Sequence, residues 1–518
     1  MLWAVKNIKY ISQFKIIILQ AVIFTIFSPN SECRSWLPLH KSRFMESSES
    51  FRKEAHKLVD WIADYFDHIE SYPVKAACKP GSVFAQIPSM PPDEPEKMET
   101  IFGDFEKIIM PGITHWQSPG FFAYFPANNS FPSILGEFLS SALGAQCMKW
   151  ETSPAATELE EAVMIWLRKM TGLPAHFEGV IQDTASTSTL CAILTARERM
   201  TGFDVNKSGM KQQPVMRVYC STEAHSSVEK AVKIAGIGNE NLVKIGVDNE
   251  FRMKPELLEQ QIIHDKNNGF MPLCVVAALG TTGSTAIDPL AEIASICTKF
   301  KLWLHVDAAF AGSALLLPEY RWMLMGIEQA DSFVFNPHKW LFTNFDCSAY
   351  FVKDSEALIN TFKLIPEYLK TQIPEHVNDY SNWGIQLGRR FRALKLWFVI
   401  RSFGVKGLQD KLRKQLAIAS ELKNWIDSHP DFELLSPVHF NLVCFRFHPA
   451  GTDDRETLNM LNEKLMLALN STGELYITHT KLNGIYTLRM VTAQTRVELH
   501  HAKRAWDLIT ERSGSILT

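Results

Sequence analysis

Apolar residues in the middle of the chain fall into short continuous runs that alternate with segments of helical spacing. Five of these runs predict β-strands, at 217–221, 274–280, 302–307, 332–336 and 348–352. Strands that are apolar on both faces and alternate with helices are typical of a mostly parallel sheet covered on both sides. The pattern between residues 180 and 352 therefore predicts a large α/β domain.

Helical spacing predicts two amphipathic helices before this domain. The first follows Met45, with apolar residues at Leu58, Trp61, Ile62, Tyr65 and Phe66. The second should begin at Ser153-Pro154, since serine can cap a helix and proline suits its first position, and should end near Gly172. Its predicted core stripe consists of Leu159, Val163, Trp166 and Met170.

The C-terminal part combines a helical pattern at 405–428 with the strand-like runs NLVCFRF and YTLRMV, which predicts a small α+β domain. A chain of 518 residues is also too long for one compact core. We predict four parts: a leader outside the fold (1–44), an N-terminal helical segment (45–130), a large domain (131–394) and a small C-terminal domain (395–518).

The leader has lysines before an apolar stretch at 16–27, which is too short for a bilayer span of roughly 20 residues. It fits either the apolar region of a signal peptide or translated sequence upstream of a true start at Met45, and we favour the second. We therefore expect a cytoplasmic protein without a stable membrane span. The alternative is an exported protein, if residues 1–44 are a genuine signal.

Composition narrows the function classes. With 53 basic and 56 acidic residues the formal net charge is −3, and no long Lys/Arg run is present, so nucleic acid is not an expected partner. The content of 46% hydrophobic and 21% charged residues is that of a soluble globular protein. The nine cysteines include no CxxC pair, which favours free thiols, and we expect no metal site.

Chemistry-bearing residues follow several predicted strands. Asp307 ends the run LWLHVD, and Asn336 to Lys339 follow the run SFVF. A hydroxyl-rich turn, Asp183 to Thr189, follows the short run VIQ and leads into a helix. Ligands of open α/β sheets bind outside the carboxyl ends of the strands, so we expect these residues to converge.

This set matches the needs of pyridoxal 5′-phosphate, which are a lysine, an anion site and a carboxylate facing its ring nitrogen. A hydroxyl-rich turn at a helix start offers free N–H groups and the helix dipole to a phosphate. An opposite charge near 4 Å is worth roughly 4 kcal/mol at a site of intermediate dielectric. That is about three pKa units, enough to keep the ring nitrogen protonated as decarboxylation requires.

Longer motifs make the resemblance specific. HVDAAFAGSA and NPHKW resemble the group II pyridoxal-phosphate decarboxylases of fold type I, which have the architecture of aspartate aminotransferase. The resemblance to the aromatic-L-amino-acid decarboxylase branch extends from about Met45 to the end of the chain. It is carried by HWQSPGFFAYFPA (115–127), SPAATELE (153–160), AHSSVEKA (224–231) and LGRRFRALKLWFVIR (387–401).

The resemblance implies roles for individual residues. Lys339 would carry the cofactor and Asp307 would face its ring nitrogen. His225 would stack on the cofactor ring and orient the substrate carboxylate, and Tyr368 would act as the acid that protonates the substrate Cα after CO2 leaves. The remaining cofactor contacts implied are Thr184, Ala185, Ser186, Thr282, Asn336 and His338.

The expected substrate is an aromatic L-amino acid, because the implied side-chain pocket has aromatic walls. That pocket comprises Trp116, Tyr124, Phe125, Pro126 and Ala127, together with His225. Ala127 stands where many relatives of this branch carry a threonine, which leaves tryptophan, phenylalanine, tyrosine and dopa open, while Gly388 favours a bulky ring such as indole.

Two alternatives to this reading stay open. Lys149, near the pocket, keeps an acidic substrate under consideration, and an aldehyde synthase is the other possibility, although Tyr368 and His225 favour simple decarboxylation. A binding protein that has lost catalysis is disfavoured, because Lys339 and Asp307 are both present. The resemblance also implies a homodimer with active sites at the subunit interface.

Overall fold

A computed structural model describes residues 47–364 and 377–517 of the chain. The predicted leader and Tyr368 lie outside the described residues. The chain divides into two compact units, Met1–Ala63 with Gly81–Met110 and Asp64–Pro80 with Pro111–Thr518. Helix α1 (Ser48–Asp67) confirms the helix predicted after Met45. The next helix, α2, is Met98–Asp104. The four predicted domain boundaries remain a prediction.

A seven-stranded sheet forms the centre of the second unit. Its strands are Glu178–Gln182 (β1), Met216–Ser221 (β2), Leu242–Ile245 (β3), Met271–Ala278 (β4), Trp303–Asp307 (β5), Ser332–Phe335 (β6) and Ser348–Val352 (β7). The order is β1-β7-β6-β5-β4-β2-β3, and only β7 pairs antiparallel with its neighbours. The predicted mostly parallel α/β sheet is confirmed, and β1 and β3 add to the five strands predicted.

Helices cover both faces of this sheet, as its apolar strands require. Successive residues of β4 show this, because Val275 and Val276 pack into different hydrophobic clusters. The helices are Phe131–Leu143 (α3), Pro154–Thr171 (α4), Ala185–Met200 (α5), Val205–Ser208 (α6), Ser226–Ile234 (α7), Pro255–Asn267 (α8), Leu290–Phe300 (α9), Pro337–Trp340 (α10) and Ser355–Phe362 (α11).

Helix α4 begins and ends where the sequence predicts, with Pro154 at its first position and Gly172 in the left-handed region at φ 80°. The predicted core stripe of α4 is wrong at one residue, Trp166. Val163 and Met170 are buried, but Trp166 is 36% exposed, and Leu167 is buried instead. The buried face is turned from the predicted one, because a tryptophan fits helical periodicity equally well at a solvent boundary.

A four-stranded antiparallel sheet forms the C-terminal α+β part, in the order β10-β11-β9-β8. Its strands are Phe432–Leu434 (β8), Leu442–Phe447 (β9), Thr478–Leu482 (β10) and Ile485–Val491 (β11), and its helices are Arg392–Asp427 (α12), Arg455–Ser471 (α13) and Leu499–Ile516 (α14). The helix predicted at 405–428 is the second part of α12, which breaks at Gly404 with φ 64°.

Eight of the cysteines lie within the described residues, and all eight are unpaired. Only Cys78 among them is exposed, and the other seven pack as small apolar side chains. Across the described ranges, no helix is both long and apolar enough to cross a membrane. The same residues contain no cluster of histidine, cysteine and carboxylate side chains suited to a metal ion.

Candidate active site

A cavity of about 210 Å³ opens at the carboxyl ends of β5 and β6. The parallel strands β1, β5 and β6 direct the residues that follow them to this one edge of the sheet. All nine residues predicted as cofactor contacts line the cavity: Thr184, Ala185, Ser186, His225, Thr282, Asp307, Asn336, His338 and Lys339. Residues separated by up to 155 positions along the chain are thereby brought together.

Lys339 lies in the short helix α10, just after β6, and Asp307 is the last residue of β5. Burial lowers the pKa of the Lys339 amine below its ordinary value, while the nearby Asp307 carboxylate opposes this shift. Asp307 Oδ1 accepts a hydrogen bond from the Ala309 backbone N–H at 3.0 Å, which fixes the carboxylate at the strand end. A lysine of lowered pKa is the form suited to attack a carbonyl carbon.

Another part of the cavity lining, the first turn of α5, is suited to an anion. Thr184 caps α5, since its side chain accepts from the Thr187 N–H, and Ala185 and Ser186 form the first turn. Backbone N–H groups in a first helical turn lack partners within the helix and face an incoming anion. Asn336, 2% exposed, has a buried Oδ1 with no hydrogen-bond partner among the described residues.

His225 is the N-cap of α7 and presents its ring to the same cavity. Its Nδ1 accepts from the Ser227 backbone N–H at 3.2 Å and lies 2.8 Å from the Ser227 hydroxyl. A neutral ring that accepts at Nδ1 carries its proton on Nε2. Burial lowers the pKa of His225, which favours this neutral form, and Nε2 is left as a hydrogen-bond donor.

Two further cofactor candidates are held by surrounding backbone and side chains. His338 Nδ1 accepts from the Cys347 N–H at 2.9 Å, and burial lowers the pKa of this histidine to about 3, so its ring is neutral. The carbonyl of Thr282 accepts from Arg489 Nη2 at 2.7 Å, and Arg489 Nε donates to the Gly283 carbonyl at 3.2 Å. Arg489, on β11, thus connects the small sheet to the loop carrying Thr282.

Aromatic rings form one wall of the cavity. Phe125 stacks on Phe310 with ring centroids 3.8 Å apart, and Phe310 stacks in turn on Trp340. Lys339 Nζ lies 5.6 Å from the centre of the Phe125 ring. The other predicted substrate residues, Trp116, Tyr124, Pro126 and Ala127, do not line this cavity within the described chain, and the rings of Trp116 and Tyr124 stack on each other.

The sequence interpretation missed several residues around the site. Phe310 lies inside the motif HVDAAFAGSA, so that motif contained a signal for it, and Gly280 is the last residue of the predicted strand 274–280. At Gly280 the backbone has φ 90°, and a Cβ would approach the Ala311 Cβ to 2.7 Å, so only glycine fits. Arg489 and Asn128 had no sequence signal, because their partners are more than 200 residues away.

Lys149 does not present an isolated charge to the cavity. Its Nζ lies 3.9 Å from Asp379 Oδ2, and both side chains are largely buried. The same carboxylate accepts from the Trp150 backbone N–H through Oδ1 at 3.2 Å. Gln146 Oε1 accepts from the Arg389 N–H at 2.7 Å, beside Gly388, in a second cavity of about 360 Å³.

The donor set fits a flat, phosphate-bearing cofactor such as pyridoxal phosphate. The first turn of α5 provides an anion site through its free N–H groups, to which Asn336 Nδ2 can add a donor, and Asp307 and Lys339 provide the carboxylate and the amine. The buried Asn336 Oδ1 has no donor among the described residues, and as an acceptor it suits a donor group of a bound molecule, not a phosphate oxygen. The residues therefore suit the cofactor in kind as well as in position.

Comparisons with known proteins agree with this fit. The profile of the pyridoxal-dependent decarboxylase conserved domain matches residues 80–448. Tyrosine decarboxylase 4 of Petroselinum crispum is 41% identical over 482 residues, covering 90% of this chain and 94% of the relative. Phenylacetaldehyde synthase of Arabidopsis thaliana is 41% identical over 480 residues, covering 91% of this chain and 96% of the relative.

The fold also matches solved structures. The crystal structure of Catharanthus roseus tryptophan decarboxylase in complex with L-tryptophan superimposes with a TM-score of 0.86 at 41% sequence identity. The match covers 93% of this chain and 100% of that one. Similarity therefore extends over nearly the entire chain and both sheets.

Proposed function

Since the chain belongs to the pyridoxal-dependent decarboxylase family, we propose that it converts an aromatic L-amino acid into the corresponding amine and CO2. The observation that carries this proposal is the convergence of Lys339, Asp307 and the first turn of α5 on one cavity. The relatives named as tyrosine and tryptophan decarboxylases support an aromatic substrate. Pyridoxal phosphate is the cofactor of this family.

Bound in the cavity, the cofactor supplies an electron sink for the bond that breaks as CO2 leaves. In our proposal Lys339 carries the cofactor, Asp307 holds the proton on its ring nitrogen, and Thr282 and His338 contact it beside the lysine. The phosphate is held by Thr184, Ala185, Ser186 and Asn336. The pKa directions of Lys339 and His338 support this assignment, because a neutral His338 adds no positive charge beside the lysine.

His225 has two proposed tasks, stacking on the cofactor ring and orienting the substrate carboxylate. Its Nε2 proton supports the second task, because a fixed donor can hydrogen-bond a carboxylate. His225 thereby contributes to the orientation of the bond that breaks.

Tyr368 is the proposed acid that delivers a proton to Cα, and it lies outside the described residues. The second candidate function, an aldehyde synthase, is favoured by one observation, the similarity to phenylacetaldehyde synthase. The two functions differ in what reaches Cα after CO2 leaves, a proton or dissolved oxygen. A phenol at position 368 favours the proton and hence the amine.

The substrate side chain is proposed to meet Trp116, Tyr124, Phe125, Pro126 and Ala127. Phe125 supports this through its stacked position near Lys339. The pairing of Lys149 with Asp379 removes the charge that motivated an acidic substrate. The preference for a bulky ring drawn from Gly388 stays a prediction, since Gly388 lines the second cavity and a Cβ there would approach Gln146 Nε2 to 3.3 Å.

A homodimer is proposed as the active assembly. One face of α3 exposes Phe131, Leu135, Phe138, Leu139 and Leu143, each at least 40% exposed. Helix α1 has no buried residue and also exposes Phe51, Leu58 and Val59. An exposed apolar helix face such as that of α3 is typical of a protein–protein interface, and a second copy of the chain would cover it.

We also propose that the protein starts at Met45 and works in the cytoplasm. The unpaired state of the eight described cysteines supports a reducing compartment. The alternative proposal is an exported protein, with residues 1–44 as its signal. The four predicted parts of the chain, 1–44, 45–130, 131–394 and 395–518, are retained in this proposal.

The test is a substrate panel on the purified holoenzyme. Release of CO2 and formation of amine are measured for tryptophan, tyrosine, phenylalanine, dopa, glutamate and cysteine sulfinate, with Lys339→Ala as the inactive control. We expect an aromatic amino acid to give the highest kcat/KM. Preference for an acidic substrate would overturn the substrate proposal, and cofactor attached by borohydride to Lys339→Ala would overturn the lysine assignment.

A further inference from the structure

Asn128 is 1% exposed and makes hydrogen bonds in three directions. Its Nδ2 donates to two backbone carbonyls, those of Lys339 and Ala493, each at 2.8 Å. Its Oδ1 accepts from the Thr495 backbone N–H at 2.9 Å, and its own backbone N–H donates to the His338 carbonyl at 3.0 Å. One side chain therefore joins the main chain at Lys339 to the loop that follows β11.

We propose that Asn128 is a positioning residue, which fixes the main chain of Lys339 relative to the substrate wall and the small sheet. The inference rests on the proposed role of Lys339 as the cofactor carrier. Asn128 follows Phe125 by three residues, so the segment that contains the aromatic wall is tied directly to the lysine backbone. A lysine side chain has four rotatable bonds, and its amine can be placed accurately only if its backbone is fixed.

A second series of hydrogen bonds also holds the loop that follows β11. Trp340 Nε1 donates to Gln415 Oε1 at 2.7 Å, and Gln415 Nε2 donates to the Gln494 carbonyl at 2.8 Å. Gln494 Nε2 donates in turn to the Gln117 carbonyl at 2.6 Å. These bonds keep the loop in place without touching the Lys339 carbonyl, so loss of the Asn128 side chain would release the lysine backbone in particular.

The effect on catalysis follows from geometry. A misplacement of about 1 Å at a reacting group costs on the order of 100-fold in rate. Removal of the Asn128 donor leaves the Lys339 and Ala493 carbonyls without this partner, and their backbones can then shift apart. We expect this shift to lower kcat more than it raises KM, because the substrate wall remains while the amine moves.

The experiment compares Asn128→Ala and Asn128→Asp with the matched control Asn129→Asp. Asn129 is the adjacent residue, and among the described residues its Oδ1 accepts from Arg496 Nη1 alone, at 3.2 Å. Asn128→Ala removes the hydrogen bonds without adding charge, and Asn128→Asp keeps the shape but turns the donor into an oxygen facing two carbonyls. Each holoenzyme is examined by mass after borohydride reduction, by the pH titration of the cofactor absorption band, and by kcat and KM per loaded subunit.

We expect both Asn128 variants to retain cofactor on Lys339, to shift the midpoint of the absorption titration and to lose at least roughly tenfold in kcat. Asn129→Asp should match the wild type in all three measurements. Wild-type kcat and titration midpoint in Asn128→Ala would overturn the inference, even if Asn128→Asp were impaired, because the added charge would then be the cause. Absence of cofactor on Lys339 in the wild-type protein would instead refute the proposed function, and the mass measurement separates the two outcomes.

Discussion

At the scale of single residues, the surroundings of each side chain in the cavity set its protonation state. The resulting protonation states are compatible with one another. Burial keeps His225 and His338 neutral and lowers the pKa of Lys339, while Asp307 provides negative charge among them. In a cavity with one carboxylate and one amine, the carboxylate can hold a proton on the ring nitrogen of a bound cofactor.

Asp307→Asn tests that electrostatic role. The amide preserves the size of the side chain and can still accept from the Ala309 N–H, so the fold should be retained. Loss of the charge should lower kcat by roughly 100-fold or more, since the interaction is worth about three pKa units. Steady-state kinetics and thermal unfolding of the holoenzyme measure both effects, and near-normal kcat would show that another group protonates the ring.

Tyr368→Phe tests the proposed proton donor. The substitution removes one oxygen and keeps the ring, so the variant should still release CO2. Without the donor, dissolved oxygen and water can react at the decarboxylated carbon, and the product should shift from amine to aldehyde with ammonia and hydrogen peroxide. Amine, aldehyde and peroxide are quantified under air for both proteins; amine formation at the wild-type rate by the variant would point to His376, Tyr380 or water as the acid.

At the scale of elements, a buried histidine connects the central sheet to the helix whose first turn faces the cavity. His305 of β5 is fully buried, with Nδ1 2.9 Å from the Ser332 hydroxyl on β6 and Nε2 3.3 Å from the Thr189 hydroxyl on α5. Burial lowers the pKa of His305 to about 4. Helix α5, whose first turn offers the anion site, is therefore in contact with the neutral imidazole of His305.

This arrangement predicts acid destabilisation. The unfolded histidine titrates near 6.5 and the folded one near 4, so between these values only the unfolded state takes up the proton. Stability should be fully present above pH 6.5 and fall as the pH drops towards 4, with about 2 kcal/mol lost by pH 5 from this group. Thermal unfolding against pH should show a smaller fall in His305→Gln than in the wild type. The control His56→Gln, at an exposed position, should keep the wild-type slope.

At the scale of the whole molecule, two helices leave apolar surface uncovered in the single chain. Helix α1 has no buried residue, and α3 exposes five large apolar side chains on one face. The segment Gly144 to Lys149, which follows α3, reaches the second cavity near Gly388. A partner chain that covers α3 would lie next to this segment and to the second cavity.

Leu139→Glu tests the proposed dimer. A charge in the middle of the α3 face should weaken association, because it must be desolvated at the interface. Light scattering over a range of concentrations should show monomer for the variant, and activity should fall with the dimer fraction. Leu467→Glu makes the same substitution at a residue of α13 that is 58% exposed, and it should remain dimeric and active. A dimeric Leu139→Glu protein would exclude this face as the interface.

A chain that starts at Met45 tests the leader. We expect it to equal the chain of 518 residues in solubility, in kcat and in the number of subunits per assembly. The reason is that the first predicted helix begins after Met45. Sequencing the N-terminus of the native protein provides the independent measurement. If the mature chain contained residues that precede position 45, the proposed start at Met45 would be wrong.

The sequence by itself determined the sheet and the residues at its strand ends. All five predicted strands are present, and Asp307 and the segment Asn336 to Lys339 at their ends line one cavity; the other predicted cofactor contacts came from the family resemblance. Such features are readable because their signals are local: an apolar run predicts a strand, and the residue after that strand lies at the binding edge. Asp307 and Lys339 could therefore be placed before the structure was known.

Only the tertiary structure decided which distant groups support that site. Asn128 meets Lys339 across 211 positions, Arg489 meets Thr282 across 207, and Lys149 is paired with Asp379 rather than left for a substrate. Trp166 belongs to a helical stripe in sequence, yet it lies at the surface because the packing of α4 sets which face is buried. These contacts depend on the path of the entire chain, and periodicity within one segment contains no information about the partner that another segment will bring to it.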